Sequence, residues 1–323
     1  MRSSPLKLDQ AAGLGGAGLR VVATASFTPR GPGYDPRARL RRRFVALRGG
    51  ADAIVLGFAW RDRAVTVRVL ALGECASEET DRALVTARRL AAVDDDPTEF
   101  MAMVRRHAVL GPLARRIDPR IASTPTVFES FMVAVVEQLV TVVEATASIR
   151  RLRSIAGERV PGAELRAAPT GRAVARVPMW QLHAIGVGSK RAVTLHEGAL
   201  RADALERLRA EAPDVAVAKL QSLRGVGPWT ANAVARSGLG WTDAVPVGDF
   251  HAPYTVTAAL GGRDDLTRDD PKGADAAMLE VLEPFRPHRA RVALLFERPP
   301  AATAGRRWRF PRVDPHRRAP WRY

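Results

Sequence analysis

The stretch from Leu223 to Asp249 reads LRGVGPWTANAVARSGLGWTDAVPVGD, and the interpretation of the whole chain starts from it. Gly225 and Gly227 are separated by a single residue, which permits a tight turn with exposed backbone amides. Pro228 suits the first position of a helix, because the amide hydrogen that it lacks has no partner there. Val226 would then close the turn by packing between two helices. The stretch predicts a helical hairpin whose second helix begins with unpaired amides, which favour an anion.

The string Leu-x-Gly-Val-Gly-Pro-Trp-Thr-Ala is more specific than its glycines, since a Gly-x-Gly alone occurs in many helical hairpins. The string resembles the hairpin of the helix-hairpin-helix (HhH-GPD) superfamily of base-excision DNA glycosylases. This resemblance implies that Gly225, Val226, Gly227 and Thr230 bind a DNA phosphate. It implies no cofactor, apart from a structural monovalent cation at the hairpin.

Asp249 stands where this superfamily has its catalytic aspartate, a short distance after the hairpin. Locally, residues 245–247 are expected to be extended, Gly248 to turn the chain, and Asp249 to begin the next helix. The alternative for Asp249 is an ordinary helix cap. Asp243 is the nearest rival for the catalytic role, but it precedes the extended run in what the sequence suggests is an exposed turn.

The chemistry of base removal explains why a carboxylate is needed. Cleavage of an N-glycosidic bond builds positive charge on the deoxyribose, and a fixed carboxylate stabilises that charge and orients water. A purine alkylated at N3 or N7 is already cationic and leaves readily, so one aspartate can suffice. Bifunctional members of the superfamily carry a lysine at the position of Trp229. The resemblance therefore implies a monofunctional hydrolase without AP-lyase activity.

A second feature is a predicted break between two helices at residues 138–140. Residues 126–129 and 141–144 both have the Thr-x-x-Glu form of a capping box. Leu139 would lie at the tip of the turn between them, and similar glycosylases use such a side chain to fill the gap left by a flipped nucleotide. The alternative is one continuous core helix, because the apolar residues here also fit a helical stripe.

Other segments extend the resemblance to the bacterial 3-methyladenine DNA glycosylase II family of inducible alkylation repair. These segments are residues 128–139, 186–192 and 284–289, and the similarity covers about residues 110–298. Residues 19–72 favour β-strands and lie where that family has a small N-terminal sheet. The expected fold class is α+β, with a small N-terminal antiparallel β-sheet domain followed by an all-helical HhH-GPD glycosylase domain.

The base pocket is expected to be aromatic. Trp229, Phe285, Trp180 and Phe250 are the candidates for its wall. Two positions depart from the family pattern, since Ala233 replaces a tyrosine and Phe285 replaces a tryptophan. Because electron-rich rings attract cationic bases, these changes affect the range of substrates.

Composition agrees with nucleic acid as a partner without requiring it. The chain of 323 residues has a formal net charge of +16, and a polycation attracts phosphates. A single cysteine excludes both an internal disulfide and a four-cysteine iron–sulfur site. No spacing suggests a metal site, and no apolar run suggests a membrane span. We expect a cytoplasmic, nucleoid-associated monomer.

The sequence thus predicts four regions and one principal function. The regions are a flexible tail at 1–18, an N-terminal α+β domain at 19–109, a helical glycosylase domain at 110–298 and a basic tail at 299–323. The function is hydrolysis of alkylated purines, of the 3-methyladenine and 7-methylguanine type, from damaged double-stranded DNA. The alternatives are a glycosylase for an oxidised or deaminated base and a non-catalytic DNA-binding protein.

Overall fold

The computed structural model describes residues 18–36, 40, 44–263 and 265–297. The predicted tails at 1–18 and 299–323 therefore lie, except for Gly18, outside the described residues. In the described part of the chain, no helix has both the length and the apolar content needed to cross a membrane.

The N-terminal part forms a four-stranded antiparallel sheet in the order β1-β4-β3-β2. The β-branched runs supply its central strands, and a tight turn at Asp62, with a φ of 54°, joins β3 to β4. The strands are β1 (Arg20–Phe27), β2 (Phe44–Arg48), β3 (Ile54–Arg61) and β4 (Ala64–Ala71). The predicted antiparallel sheet is confirmed.

Both faces of this sheet are covered. Alternate residues of β4, such as Val65 and Val67, pack against the first helix, α1 (Ser77–Ala91). The opposite face packs against residues 160–167, a loop that returns from the helical region, where Val160 is completely buried. The sheet is therefore joined to the helices by a shared core and not only by the chain.

Thirteen further helices follow among the described residues. They are α2 (Thr98–Val104), α3 (Leu110–Ala114), α4 (Val127–Glu137), α5 (Val142–Ala156), α6 (Gly171–Ala175), α7 (Met179–Ala184), α8 (Ser189–Leu200), α9 (Ala202–Arg207), α10 (Pro213–Gln221), α11 (Pro228–Leu239), α12 (Ala252–Gly261), α13 (Pro271–Leu282) and α14 (Arg289–Glu297). Together with the sheet they confirm the predicted α+β fold class.

The described helices pack around two large apolar cores, beside a smaller cluster of Ala235, Ala244 and Ala290. The first core surrounds α4 and includes the hairpin residue Val226. The second joins α2 and α3 to α12, α13 and α14, and it contains both Phe100 and Leu110. Phe100 of α2 therefore packs with the helical region, and the predicted domain boundary at residues 109 and 110 stays a prediction.

A buried charge pair connects the segment after α1 to the helical region. Arg291 of α14 is almost completely buried, and its Nη1 donates to Asp95 Oδ2 at 2.7 Å. The same oxygen accepts from the amide of Ile121 at 2.6 Å, and Arg120 Nε donates to the Asp95 carbonyl at 3.1 Å. Asp95 therefore ties together three segments that are distant in the sequence.

Candidate functional site

The predicted hairpin forms between α10 and α11. Gly225 has a φ of +80°, and a Cβ on it would lie 2.0 Å from the hydroxyl of Thr194, so the fold itself requires glycine there. Val226 is buried in the first core, as predicted. Gly227 differs, because its φ is −90° and an added Cβ would meet nothing within 4 Å. The packing of the chain does not explain a glycine at 227.

The start of α11 presents free backbone amides. Pro228 occupies the first turn, and the first helical hydrogen bond runs from Ala231 N to Gly227 O at 3.0 Å. Within the described part of the chain, the amides of Gly225, Gly227 and Trp229 have no backbone acceptor. Free amides at a helix N-terminus, together with the helix dipole, form an anion-binding site.

Thr230 was expected to help bind the phosphate, but its hydroxyl faces inward. The residue is buried, and its Oγ1 accepts a hydrogen bond from Gln138 Nε2 at 2.8 Å. Its position on the inner face of α11 causes this orientation. The Thr230 hydroxyl is therefore engaged within the protein, and phosphate binding by Thr230 stays a prediction.

The predicted helix break is present. Helix α4 ends at Glu137 and α5 begins at Val142, with a capping box in which Thr141 Oγ1 accepts from Glu144 N at 3.2 Å. Leu139 lies in the turn with a φ of 55° and is 72% exposed. The alternative of one continuous core helix is wrong.

Gln138 joins this turn to the hairpin. Its Nε2 donates to Gly225 O at 3.0 Å as well as to Thr230. The residue next to Leu139 is thus bonded both to the first glycine of the hairpin and to the first turn of α11, although both lie far from it in the sequence. Local sequence does not predict this link, and the signal for it is a polar residue in an apolar run.

Asp249 is held rigidly in the loop between α11 and α12. Its Oδ1 accepts from the amides of His251 at 2.7 Å and Ala252 at 2.8 Å, and its Oδ2 accepts from Trp229 Nε1 at 3.0 Å. Gly248, with a φ of +84°, turns the chain before it. Asp249 therefore caps the first amides of α12, as the alternative supposed, while it also faces an open cavity.

Two titratable groups flank Asp249. Asp275 accepts from Gly248 N at 2.9 Å and so supports the turn, and burial raises the pKa of its carboxyl. Burial lowers the pKa of His251, although the nearby Asp249 carboxylate opposes this shift. His251 is therefore held in its neutral form at neutral pH.

The cavity in front of Asp249 has a volume of about 390 Å³ and lies between α4, α11 and α14. One face of α11 lines it with Trp229, Asn232, Ala233, Arg236 and Ser237, which follow the helical repeat. One face of α4 lines it with Ser130, Val133, Ala134 and Glu137. A cavity of this volume has the size of a small-molecule site.

Comparison with solved structures identifies the architecture. The 3-methyladenine DNA glycosylase of Archaeoglobus fulgidus superimposes with a TM-score of 0.65 and 20% identity, over 78% of this chain and 84% of that one. The chain has the DNA glycosylase fold. The 8-oxoguanine glycosylase/lyase of Clostridium acetobutylicum, bound to double-stranded DNA, superimposes with a TM-score of 0.56 and 16% identity, over 78% of this chain and 87% of that one.

A yeast structure shares the same glycosylase fold. The 3-methyladenine DNA glycosylase of Schizosaccharomyces pombe, in complex with abasic DNA, superimposes with a TM-score of 0.50 and 17% identity, over 62% of this chain and 95% of that one. No protein-family model matches the sequence, and no curated protein matches it either. The structural similarity therefore establishes the fold alone.

Within this glycosylase fold, Asp243 is not a rival for Asp249. It is buried and was wrongly expected in an exposed turn. Both of its carboxylate oxygens bind Arg289, at 2.9 Å to Nε and 2.7 Å to Nη2, and Oδ2 also binds Arg286. Both carboxylate oxygens of Asp243 therefore serve structural ion pairs with Arg289 and Arg286.

Of the four predicted pocket aromatics, the structure brings only Trp229 to the cavity. Phe285 is buried in the second core beside the ring of His107, with centroids 5.8 Å apart. Trp180 lies on α7 and is 70% exposed. Phe250 points outward, where the guanidinium of Arg268 lies 3.6 Å from its ring centroid. Local sequence could not separate these environments, because each depends on helices that are distant in the chain.

The monovalent cation expected at the hairpin stays a prediction, and two of the hairpin carbonyls already accept hydrogen bonds within the protein. The Leu223 carbonyl accepts from Val226 N at 3.1 Å, and the Gly225 carbonyl accepts from Gln138. Among the described residues, no group of three or more His, Cys, Asp or Glu side chains could hold a metal ion. No step proposed below uses a cation.

Proposed function

We propose that this protein is a monofunctional DNA glycosylase that hydrolyses the N-glycosidic bond of alkylated purines in double-stranded DNA. The observation that carries the proposal is the position of Asp249. Three hydrogen bonds hold its carboxylate at the wall of a cavity of about 390 Å³, close to a hairpin with free amides. We expect the protein to act as a cytoplasmic monomer in base excision repair.

The geometry suggests a separate role for each group of residues in binding and catalysis. The free amides of Gly225 and Gly227 bind a phosphate of the damaged strand and fix the register of the duplex. The damaged nucleotide then leaves the stack, and Leu139 fills its place. Asp249 stabilises the positive charge that develops on the sugar as the base leaves, and a water molecule adds to C1′.

The wall of the cavity supports a cationic purine as the first substrate. The indole ring of Trp229 contributes to this wall, and its Nε1 is bonded to Asp249, so the ring and the carboxylate are held as one unit. A cationic base is attracted by the face of a tryptophan ring. It also leaves without being protonated, so Asp249 can act alone.

The residues that line the cavity support the monofunctional assignment. No lysine is among the described residues at the wall, and Trp229 occupies the position where bifunctional relatives have their nucleophile. Without an amine there is no Schiff base with the sugar. The product is expected to be an intact abasic strand.

An inventory of released bases tests the proposal. Duplexes that carry methylated purines, 8-oxoguanine or uracil are incubated with the protein, and the free bases are identified by mass spectrometry. We expect 3-methyladenine and 7-methylguanine. Release of 8-oxoguanine alone would replace the alkylated substrates by oxidised ones, and release of no base would reject a glycosylase.

The two hairpin glycines should respond differently to alanine. Gly225→Ala places a side chain at positive φ and against Thr194, and should lower the free energy of unfolding by about 1–3 kcal/mol. Gly227→Ala has room for its methyl group and should keep its stability, but it should weaken DNA binding at least tenfold by obstructing the phosphate. Thermal unfolding and fluorescence anisotropy measure the two effects. Unchanged DNA affinity of Gly227→Ala would exclude the phosphate site.

Leu139→Ala should weaken binding to a duplex with an abasic analogue by about tenfold, since an apolar side chain that fills a gap in DNA contributes roughly 1–2 kcal/mol. Stability should not change, because Leu139 is 72% exposed. Leu200→Ala, at a site that is 65% exposed on α8, is the matched control. Equal affinities of the two variants would remove the role of Leu139.

A further inference from the structure

Glu137 brings a second carboxyl group into the cavity that contains Asp249. It is the last residue of α4, and the helical repeat places it on the same face as Ser130, Val133 and Ala134, all of which line the cavity. It immediately precedes Gln138, whose bonds to the hairpin fix this end of the helix. The backbone that carries Glu137 is thus firmly positioned.

The Glu137 carboxyl is not used by the fold. Of the residues that the structure describes, none forms a hydrogen bond with it, and the nearby guanidinium of Arg236 is bonded to Glu297. Polar groups that face a cavity without a partner in the protein are available to a ligand. Glu137 is exposed to solvent and also lines the cavity, so its carboxyl is accessible to a ligand there.

The other titratable groups around the cavity either form hydrogen bonds or ion pairs within the protein or are uncharged. Arg236 of α11 pairs with Glu297 of α14, Asp249 is bonded to Trp229 and two amides, and His251 is held neutral. On the neighbouring helices, Glu144 of α5 caps its own helix, and Arg191 of α8 donates to the Val136 carbonyl at 2.6 Å.

We propose that Glu137 is a second catalytic residue, which donates a proton to the leaving base and so extends the substrates to uncharged purine lesions. This inference rests on the proposed glycosylase function. A neutral purine is a poor leaving group, because the electron pair of the broken bond would make it an anion. A general acid that protonates a ring nitrogen removes this obstacle.

Proton transfer from Glu137 accompanies the cleavage of the glycosidic bond. The bond between C1′ and N9 breaks with its electron pair moving to the base, and the Glu137 O–H delivers its proton to a ring nitrogen of that base. The Asp249 carboxylate stabilises the sugar cation, and a water molecule adds to C1′ and loses a proton to solvent. Glu137 is left as a carboxylate and regains a proton from solvent. Two carboxyl groups with different charge states are the arrangement that glycoside hydrolysis uses.

Although Glu137 is exposed to solvent, desolvation where its side chain lines the cavity favours the protonated form of its carboxyl. This desolvation raises the pKa of its carboxyl, with Glu297 acting in the same direction and Arg236 opposing. The protonated fraction therefore persists to higher pH than for an ordinary glutamate. Ser130, Asn232, Ser237 and Thr255 add polar groups to a cavity wall that is otherwise mostly apolar. Such a wall can form hydrogen bonds with an uncharged base.

The test compares Glu137→Gln with the wild type on two duplexes in single-turnover reactions. One duplex carries the cationic base 7-methylguanine, and the other carries the neutral base hypoxanthine. Glutamine keeps the size of the side chain but cannot donate a proton as an acid. We expect hypoxanthine release to fall by about 100-fold or more, and 7-methylguanine release by less than about threefold.

The pH dependence provides an independent readout. Wild-type release of hypoxanthine should decline as the pH rises through the pKa of Glu137, because the protonated form disappears, and the Gln variant should lack this decline. Equal loss on both duplexes, or no loss on either, would overturn the inference. Wild-type release of 7-methylguanine without hypoxanthine would also overturn it, while the proposed function would stand. Release of neither base would reject both.

Discussion

Asp249→Asn should reduce the rate of base release by about 1000-fold, the loss expected when a fixed group no longer stabilises charge in the transition state. The asparagine has the same shape but no negative charge, so the developing sugar cation loses its counterion. The rate is measured in single-turnover reactions with a 7-methylguanine duplex. An unchanged rate would show that Asp249 is not catalytic.

This substitution also separates an enzyme from a binding module. An asparagine oxygen can still accept from the amides of His251 and Ala252, so only the bond to Trp229 Nε1 must be given up. We therefore expect normal DNA affinity and nearly normal stability. If excision is lost while DNA binding is kept, the protein cannot be a non-catalytic DNA-binding protein. Asp269→Asn, an exposed site before α13, is the matched charge control and should excise normally.

The second large effect is expected for stability. Asp95→Ala removes the carboxylate that pairs with buried Arg291 and accepts from Ile121 N. An unpaired guanidinium then remains inside the protein, and breaking a buried ion pair in this way typically costs about 3–5 kcal/mol. The free energy of unfolding, measured by urea denaturation, should fall by this amount.

The control for this prediction is an ion pair at the surface. Asp265 pairs with Arg263 at 3.0 Å, and both side chains are largely exposed. Solvent screens such a pair, so Asp265→Ala should have little effect on unfolding. If the two variants were equally stable, the contact between Asp95 and Arg291 would not contribute to joining the sheet to the helices.

Short-range sequence signals predicted the parts of the site that one turn or one helix end creates. The hairpin depends on Gly225, Val226 and Pro228, and the turn at Leu139 depends on the capping box that begins at Thr141. These patterns act through local backbone sterics and local hydrogen bonds, so they are readable within a few residues. The position of Asp249 after a glycine turn belongs to the same class.

The tertiary environment of each side chain could not be predicted from local sequence signals. Thr230 accepts a hydrogen bond from Gln138, and Phe285 is buried beside His107. Asp243 forms an ion pair with Arg289. Gln138, His107 and Arg289 are each far in the sequence from the residue that they contact. The local sequence pattern also does not distinguish a buried aromatic residue from one at a cavity wall. Glu137 was missed for the same reason, although its helical repeat with Ser130 and Ala134 placed it on that face.

The amino-acid sequence by itself thus determined the strands, the hairpin, the helix break and the loop that carries Asp249. Only the tertiary structure decided which faces of α4, α11 and α14 meet to form a cavity, and which charged groups remain free within it. The physical reason is the range of the interactions. Turns and caps depend on neighbours along the chain, whereas burial and charge pairing depend on how distant helices pack.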